Sequence, residues 1–589
     1  MKKTIIYSLL ALGVASTTFT SCEDMFGGFL DKQPSNELTG EQVFSDWTLA
    51  TQFHYDTYNF LRHGALRINN SWLDSATDLA ETSYASGGTR TSFNIGNYYG
   101  NSGASELSST WEHFYRGIRK CNMTLERIND VPKSADLSED NYQTQKGYII
   151  AEARFLRAYF YWELFLRYGP IPIVTEVLDP DGDLLSGYTT RPGIKEYVVD
   201  FVMKEIAECE GSLMDSKTYN DNQANAGRIC QPIACAIYSR IALYMASDRF
   251  KDASGITMQQ AADASKRFID TYGSLFDLMT AAATTKENLT NAWLQTQYIG
   301  NNKEVIFFRN DPTIGWASIS NDTPVGEGGN GGLCPSQNLV DMYDMIDGSS
   351  PFAEYDATGA PVYGNGLKPE VNEASGYSDA TMWQNRDIRL EASILYHGVL
   401  WNNRNIDVIA GHADNPLGNA NATPTGYYVR KYIPETILAG THTGKSHRLW
   451  TIMRYAEVLL NYAEALNETD FANNKETVCG LLDQLRHRAG ITGNVAERKD
   501  LDSQEALRNF IRKERTVELA FEEHRAWDVR RWNVAVEALA RPIYGIEVTA
   551  DGNINRKMSQ ERVFNEKMYL YPIPEGEVWK TDIENNPGW

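Results

Sequence analysis

Two blocks of helical hydrophobic periodicity enclose a long stretch that has none, and this change of texture constrains the fold more than any other feature of the chain. Candidate helices run near Thr110–Asn129, Tyr142–Tyr168, Ile194–Leu213, Gly227–Met245 and Met258–Tyr272. They resume near Leu449–Asn467, Lys475–Ala489, Gln504–Glu523 and Arg525–Ala540. In the second helix Ile149, Ala153, Leu156, Phe160 and Leu164 share one face. Phe155, Trp162 and Phe165 load an adjoining one, so this helix must pack on more than one neighbour. Ile452, Ala456, Leu459, Ala463 and Leu466 repeat the pattern late in the chain, with Tyr455 and Tyr462 beside it. Alanines facing aromatics predict a mainly α fold, a scaffold of tetratricopeptide-like helical pairs, although no clean sequence period of about 34 residues is visible. The scaffold is expected over about 30–280 and 449–589 of a single domain, 22–589. Between them, about 281–448, clusters of Gly, Asn, Thr and Pro alternate with isolated aromatics, as in Gly326–Gly332 and Asn415–Thr425. So long an irregular segment predicts a large loop-rich ligand-binding region. A second loop-rich stretch covers Asp74–Ser109.

The N-terminus sets the compartment. Lys2 and Lys3 precede an apolar run from Ile5 to Val14, and small or hydroxyl residues lead to Ser21-Cys22. The apolar core is too short to span a bilayer, so residues 1–21 are expected to be a signal peptide. A cysteine after a small residue there resembles a bacterial lipobox, with Phe19 in place of the usual aliphatic, and makes Cys22 the expected lipidation site. The remaining cysteines, Cys121, Cys209, Cys230, Cys235, Cys334 and Cys479, form no CxxC pair and are expected as buried small hydrophobes. A formal charge of −22 argues against nucleic-acid binding. With 13 Trp, 32 Tyr and 22 Phe, the chain suits neutral polar ligands such as sugars, whose C–H faces pack on rings.

Five segments carry a resemblance: FLDKQPSN (Phe29–Asn36), AEARFLRAYFYWELFLRYGPIPIV (Ala151–Val174), RYAEVLLNYAEALNE (Arg454–Glu468), IRKERTVELAFEEHRAWDVRRW (Ile511–Trp532) and the terminal LYPIPEGEVWKTDIENNPGW (Leu570–Trp589). In order and spacing they resemble the SusD/RagB family along nearly the whole chain. One departure is Glu523-His524, where a Gly is commoner, with no expected effect on the fold. The resemblance implies a non-catalytic outer-membrane lipoprotein, facing the cell surface, that captures glycans. It also implies a partner, a SusC-like TonB-dependent transporter that takes the oligosaccharide onward.

The alternating charges of Ile511–Trp532 suit an ion-pair network between helices better than an anion site. Asp179-Pro180-Asp181-Gly182-Asp183 resembles a calcium loop, but its Gly is fourth and Thr190 stands twelfth, so a solvated turn is expected and no metal or other cofactor is assigned. Gly326–Gly331 fits GxGxxG without a preceding strand and following helix, which predicts a flexible loop rather than a dinucleotide site. There is no HExxH, and Gly100–Gly103 falls one residue short of GxSxG.

The loop aromatics are the expected ligand platform: Trp293, Tyr298, Trp316, Trp383 and Trp401 in the long irregular region, and Tyr84, Tyr98 and Tyr99 in the earlier one. Rings on rigid loops match a pyranose face at low entropic cost, and Arg90 and Asn101, with Asn97 and Asn321, stand near enough in sequence to read hydroxyls. Trp293, Trp316 and Tyr98 lead because polar or Gly residues flank them. Trp72 and Asp78 are weaker, and Trp111, Trp162, Trp450, Trp527 and Trp532 are expected in the core. No loop concentrates Arg or Lys, so the expected glycan is neutral. Two alternatives stand beside this reading: the same role with a peptide cargo, and a surface glycoside hydrolase.

Overall fold

The structure, a computed structural model, describes residues 39–589 apart from 63, 65–70, 101–104, 180–181, 183–186, 281–283, 295–301, 365 and 438–440. Cys22 therefore lies outside the described residues. No described helix is long and apolar enough to cross a membrane.

Helix α1 (Trp47–Asp56), which the periodicity did not announce, starts where the Asp46 side chain accepts from the Leu49 amide. Helices α2 (Ser105–Arg127) and α3 (Glu139–Tyr168) pack on each other. Ser138 caps α3, acids fill its first turn, and Gly169 at φ +69° ends it. Phe155, Leu156, Phe160, Tyr161, Trp162 and Leu164 are all buried, as a helix with two loaded faces requires. Helix α4 (Gln231–Ala246) follows, and α5 (Met258–Tyr272) opens on a Thr257/Gln260 capping box. The segment expected as Ile194–Leu213 is a wide-turned stretch, Lys195–Met203, that runs into a helix over Lys204–Glu210.

The late block corrects one expectation. Leu449–Arg454 is not helical: it belongs to a strand, Ser446–Arg454, paired antiparallel with Val305–Ile314. We number the strands β1 (Ala80–Thr82), β2 (Val305–Ile314), β3 (Leu333–Pro335) and β4 (Ser446–Arg454). Ile452 continues the spacing of the following helix by position only, because a long-range partner claims the backbone of Leu449–Arg454. The chain turns helical at Tyr455, whose amide donates to the Glu304 carbonyl at 2.7 Å. Helices α6 (Tyr455–Thr469), α7 (Phe471–Arg488), α8 (Gln504–Glu518) and α9 (His524–Arg531) complete the scaffold, with α6 packed on α5, α7 and α8. α8 stops short of Glu523 because Phe521 and Glu523 both adopt left-handed backbone, at φ +64° and +69°. That conformation gives the physical reason a glycine suits position 523.

The middle of the chain has a core of its own. Leu339, Tyr343, Ile394, Tyr428 and Val429, scattered in sequence, converge with Trp72, Trp401 and Trp450 into a second apolar cluster. All six described cysteines are free and buried. Ile511–Trp532 forms the expected network. Arg454 donates to Glu304 and Glu518, each at 2.6 Å, and to Glu522 at 2.8 Å, while Arg488 reaches Glu304 and Glu518. Arg531 bridges Glu464 and Asp528, and Arg515 also holds Asp528. Burial works against the charge of Glu464, yet Arg531 holds its carboxyl down at about 2.

Candidate functional site

A three-residue strand pair joins the two loop-rich stretches. β1 lies antiparallel to β3, and beyond it the Ser83 amide donates to the Gly332 carbonyl at 2.9 Å and the Ser83 hydroxyl to the Asn330 carbonyl at 2.6 Å. The glycine run between is set by packing. A Cβ on Gly331 would stand 2.4 Å from the Asn421 carbonyl oxygen, and one on Gly332 2.2 Å from an Asp322 carboxylate oxygen, and both residues have positive φ. No strand-then-helix surrounds this run, so it forms a close-packed turn of the loop face rather than a phosphate cradle.

That face gathers residues from 84, 316–330, 404–421 and 442. Trp316, just past the end of β2, is half-buried, and its ring stacks on the exposed His442 with centroids 4.2 Å apart and planes at 10°. The Tyr84 hydroxyl donates to the Asn321 carbonyl at 3.3 Å, and burial, with the Asp322 charge next, pushes it up to about 12. Beneath it Asp322 accepts from the Trp72 indole at 3.1 Å and from the Leu333 amide at 3.2 Å, and burial lifts its carboxyl to about 6. Three amides form a chain: Asn330 donates to Asn321 at 3.1 Å, and Asn421 donates to Asn330 at 3.3 Å. The Asn321 amino group and the Asn421 carbonyl oxygen end that chain, one donor and one acceptor. Arg404 is held between Glu327 and Asp414, which occupies its charge, leaves one negative charge in excess and pins the loop rather than leaving it flexible. Among the described residues no group of three or more His, Cys, Asp or Glu could hold a metal ion. Asp181 and Asp183 of the calcium-like turn lie outside the described residues.

The structure brings Trp316 and Tyr84 together with Asn321 and disperses the other expected residues. Tyr98 is only 5% exposed, stacked on Phe93 and tilted against Trp589, so it is a core ring and offers no platform. Trp401 is 1% exposed beneath the Arg430 guanidinium, which corrects it in the same way. Tyr99 is 61% exposed, next to Gly100 where that residue meets Ile573 and Glu575 of the C-terminal segment. Trp383 is half-buried and stacks on Tyr396 at 4.9 Å, with its indole donating to the Tyr427 hydroxyl. Arg90 stands 3.7 Å from Glu81. Trp293 belongs to the helix Thr285–Leu294, not to irregular chain, and its side chain is outside the described set, as are Tyr298 and Asn101. Trp72 and Asp78 are buried, the latter paired with Arg525, whereas Trp111 is only partly buried and lines a surface groove. Sequence reasoning missed His442, Asn330, Asn421 and Arg404. The Thr441-His442-Thr443-Gly444 turn carried the one available signal, since His442 at φ +53° needs such a turn.

Comparison with known proteins bears on the family and fold of the whole chain. The model described as "SusD family" matches residues 274–589, and the one described as "Starch-binding associating with outer membrane" matches 28–242. SusD-like protein P2 of Formosa agariphila is 24% identical over 500 residues, which cover 82% of this chain and 81% of that one. A SusD-like protein of Bacteroides fragilis superposes with a TM-score of 0.75 at 24% identity, over 95% of this chain and all of the other. A laminarin-binding SusD-like protein superposes at 0.55 and 22% identity, over 92% of this chain and all of its own.

Proposed function

The chain belongs to the SusD family, and from that premise we propose that it is a surface lipoprotein of the outer membrane that captures a neutral oligosaccharide on its loop face. In this reading the sugar is then handed to a SusC-like TonB-dependent transporter. The observation that carries the proposal is the Trp316–His442 stack beside a donor-and-acceptor amide chain whose neighbouring arginine is already held by two carboxylates. A pyranose presents an apolar C–H face to such a stack, and its hydroxyls both donate and accept, as the ends of the Asn321–Asn330–Asn421 chain require. An anionic sugar would have to compete with Glu327 and Asp414 for Arg404. A peptide cargo would call for free charges on the face, whereas Arg404, Glu327 and Asp414 are already paired with one another. Hydrolysis would need a carboxyl free to donate and another free to attack, whereas Glu327 and Asp414 are both committed to Arg404 and Asp322 is buried under hydrogen bonds from Trp72 and Leu333. We therefore assign binding without turnover.

Names among the relatives and models direct the first probes: laminarin-derived and starch-derived oligosaccharides. Calorimetric titration of the chain from residue 23 should give micromolar to millimolar binding to one of the two, weak enough to permit release. Chromatography after long incubation should show the sugar unchanged. If Trp316→Ala binds as tightly as the parent chain, the loop-face assignment is wrong.

A further inference from the structure

A cleft of about 540 Å³ opens between α1, the turn at 222–228 and β2, on the scaffold side of the molecule. Its volume falls in the usual range for small-ligand sites. Tyr55 stands at its rim, 38% exposed, with the Arg228 guanidinium 5.2 Å from its ring centroid and the His54 ring 5.5 Å away. Phe308 and Tyr58 add apolar surface, and Asn59, Gln145 and Asn222 add amides. Asn59 donates to Asp56 and the Asn222 oxygen accepts from the Ala224 amide. The Asn59 oxygen, the Asn222 amino group and the Gln145 amide are left for a ligand.

The cleft is built on a buried anchor. Glu152 is fully buried and receives His54 at 2.9 Å, the Tyr58 hydroxyl at 2.9 Å and Arg228 at 2.6 and 2.9 Å. These bonds fix Tyr58 and Arg228, and Arg228 in turn lies against the Tyr55 ring, so the rim is pre-organised. They also bear on the charge of the ligand. The Arg228 guanidinium is paired with Glu152, so an anion would gain little from it, and Arg309 is anchored to the Leu61 carbonyl at 2.6 Å. Rings and both-way amides around a paired arginine suit a hydroxyl-rich molecule.

We propose that this cleft is a second saccharide site, in which a neutral oligosaccharide packs on Tyr55 and is read by Asn59, Gln145 and Asn222. The site lies beyond the loop-face reading and shares only β2 with it. That strand passes the cleft at Phe308 and ends two residues before Trp316, about 25 Å further along extended backbone. If one polysaccharide engages both sites, its second contact is intramolecular.

The test is calorimetry of the chain from residue 23 with laminarihexaose and with maltoheptaose, on the parent, Tyr55→Ala, Asn222→Ala, Trp316→Ala and the Tyr55/Trp316 double variant. Tyr55 and Asn222 are exposed, so folding should survive, and circular dichroism checks it. The expected result is two sites in the parent, one remaining in Trp316→Ala, and that one weakened at least tenfold by Tyr55→Ala or Asn222→Ala. A single site abolished by Trp316→Ala and untouched by Tyr55→Ala overturns the proposal and leaves the loop face standing. Loss with Tyr55→Ala but not with Trp316→Ala does the reverse. Absence of binding to either sugar, or a cleft that responds only to a short peptide such as trialanine, overturns it.

Discussion

Two regions of this molecule use the same chemical vocabulary, arginines, carboxylates and tryptophans, to opposite ends. In the seam between α8, α9 and their neighbours, Arg454 is 1% exposed and bonded to three carboxylates. On the loop face Arg404 is also bonded to two carboxylates, but its side chain is 29% exposed and a half-open ring stack stands on the same face. What separates structure from site is therefore not which residues are present. It is whether their bonding capacity is consumed inside the protein or left partly facing water.

Breaking the same kind of bond in both places is the sharpest comparison. Arg454→Met strands Glu304, Glu518 and Glu522 in the interior and should cost about 3–5 kcal/mol in urea unfolding. Arg404→Met should cost less, about 1–3 kcal/mol, because Arg404 itself is partly open to water and it holds two carboxylates rather than three. Equal losses would mean that the loop face is as structural as the seam.

Asp74 is the seam's exception. It is 1% exposed, has no well-formed hydrogen bond on either oxygen, and burial with the nearby Glu523 charge lifts its carboxyl to about 7. The unfolded chain loses this proton near pH 4 and the folded chain near pH 7, so stability should fall as pH rises through that window and stay low above it. Asp74→Asn should remove this dependence and gain as much as about 4 kcal/mol above pH 7, read from urea midpoints at pH 5 and pH 8.

Trp316→Ala should weaken oligosaccharide binding by about 2 kcal/mol, roughly thirtyfold, and leave the urea midpoint nearly in place. Trp450→Ala, in the core beside Trp72, should do the opposite and lower stability by about 3–5 kcal/mol. The smallest effect is expected at Glu523. Replacing it with glycine relieves left-handed strain and removes a like charge from Asp74, for a gain of about 1 kcal/mol. A loss there would show that the Glu523 side chain holds the turn.

Much of the scaffold could be read from the chain because helices are written locally. Met258–Tyr272 carries its own capping box and its own apolar stripe, and its limits in the structure are those its pattern gave. Leu449–Arg454 could not be read this way, since its partner strand lies about 140 residues earlier and leaves no local mark. The same distance effect governs the site. Trp316 was identifiable as a loop tryptophan, but Tyr98 stands in equally polar and glycine-rich surroundings and is buried.

By itself, the order of residues determined the helical scaffold, the ion-paired character of Ile511–Trp532, the inertness of the cysteines and the resemblance to one family. Each of these rests on periodicity, charge alternation or segment motifs, which are local. Only the tertiary structure decided which rings remain at the surface, that His442 covers Trp316, and that Asn321, Asn330 and Asn421 form one chain. Those outcomes depend on contacts such as Ser83 with Asn330 and Gly331 with Asn421, between residues far apart along the backbone. Exposure is a property of the packed molecule, and no stretch of sequence carries it alone.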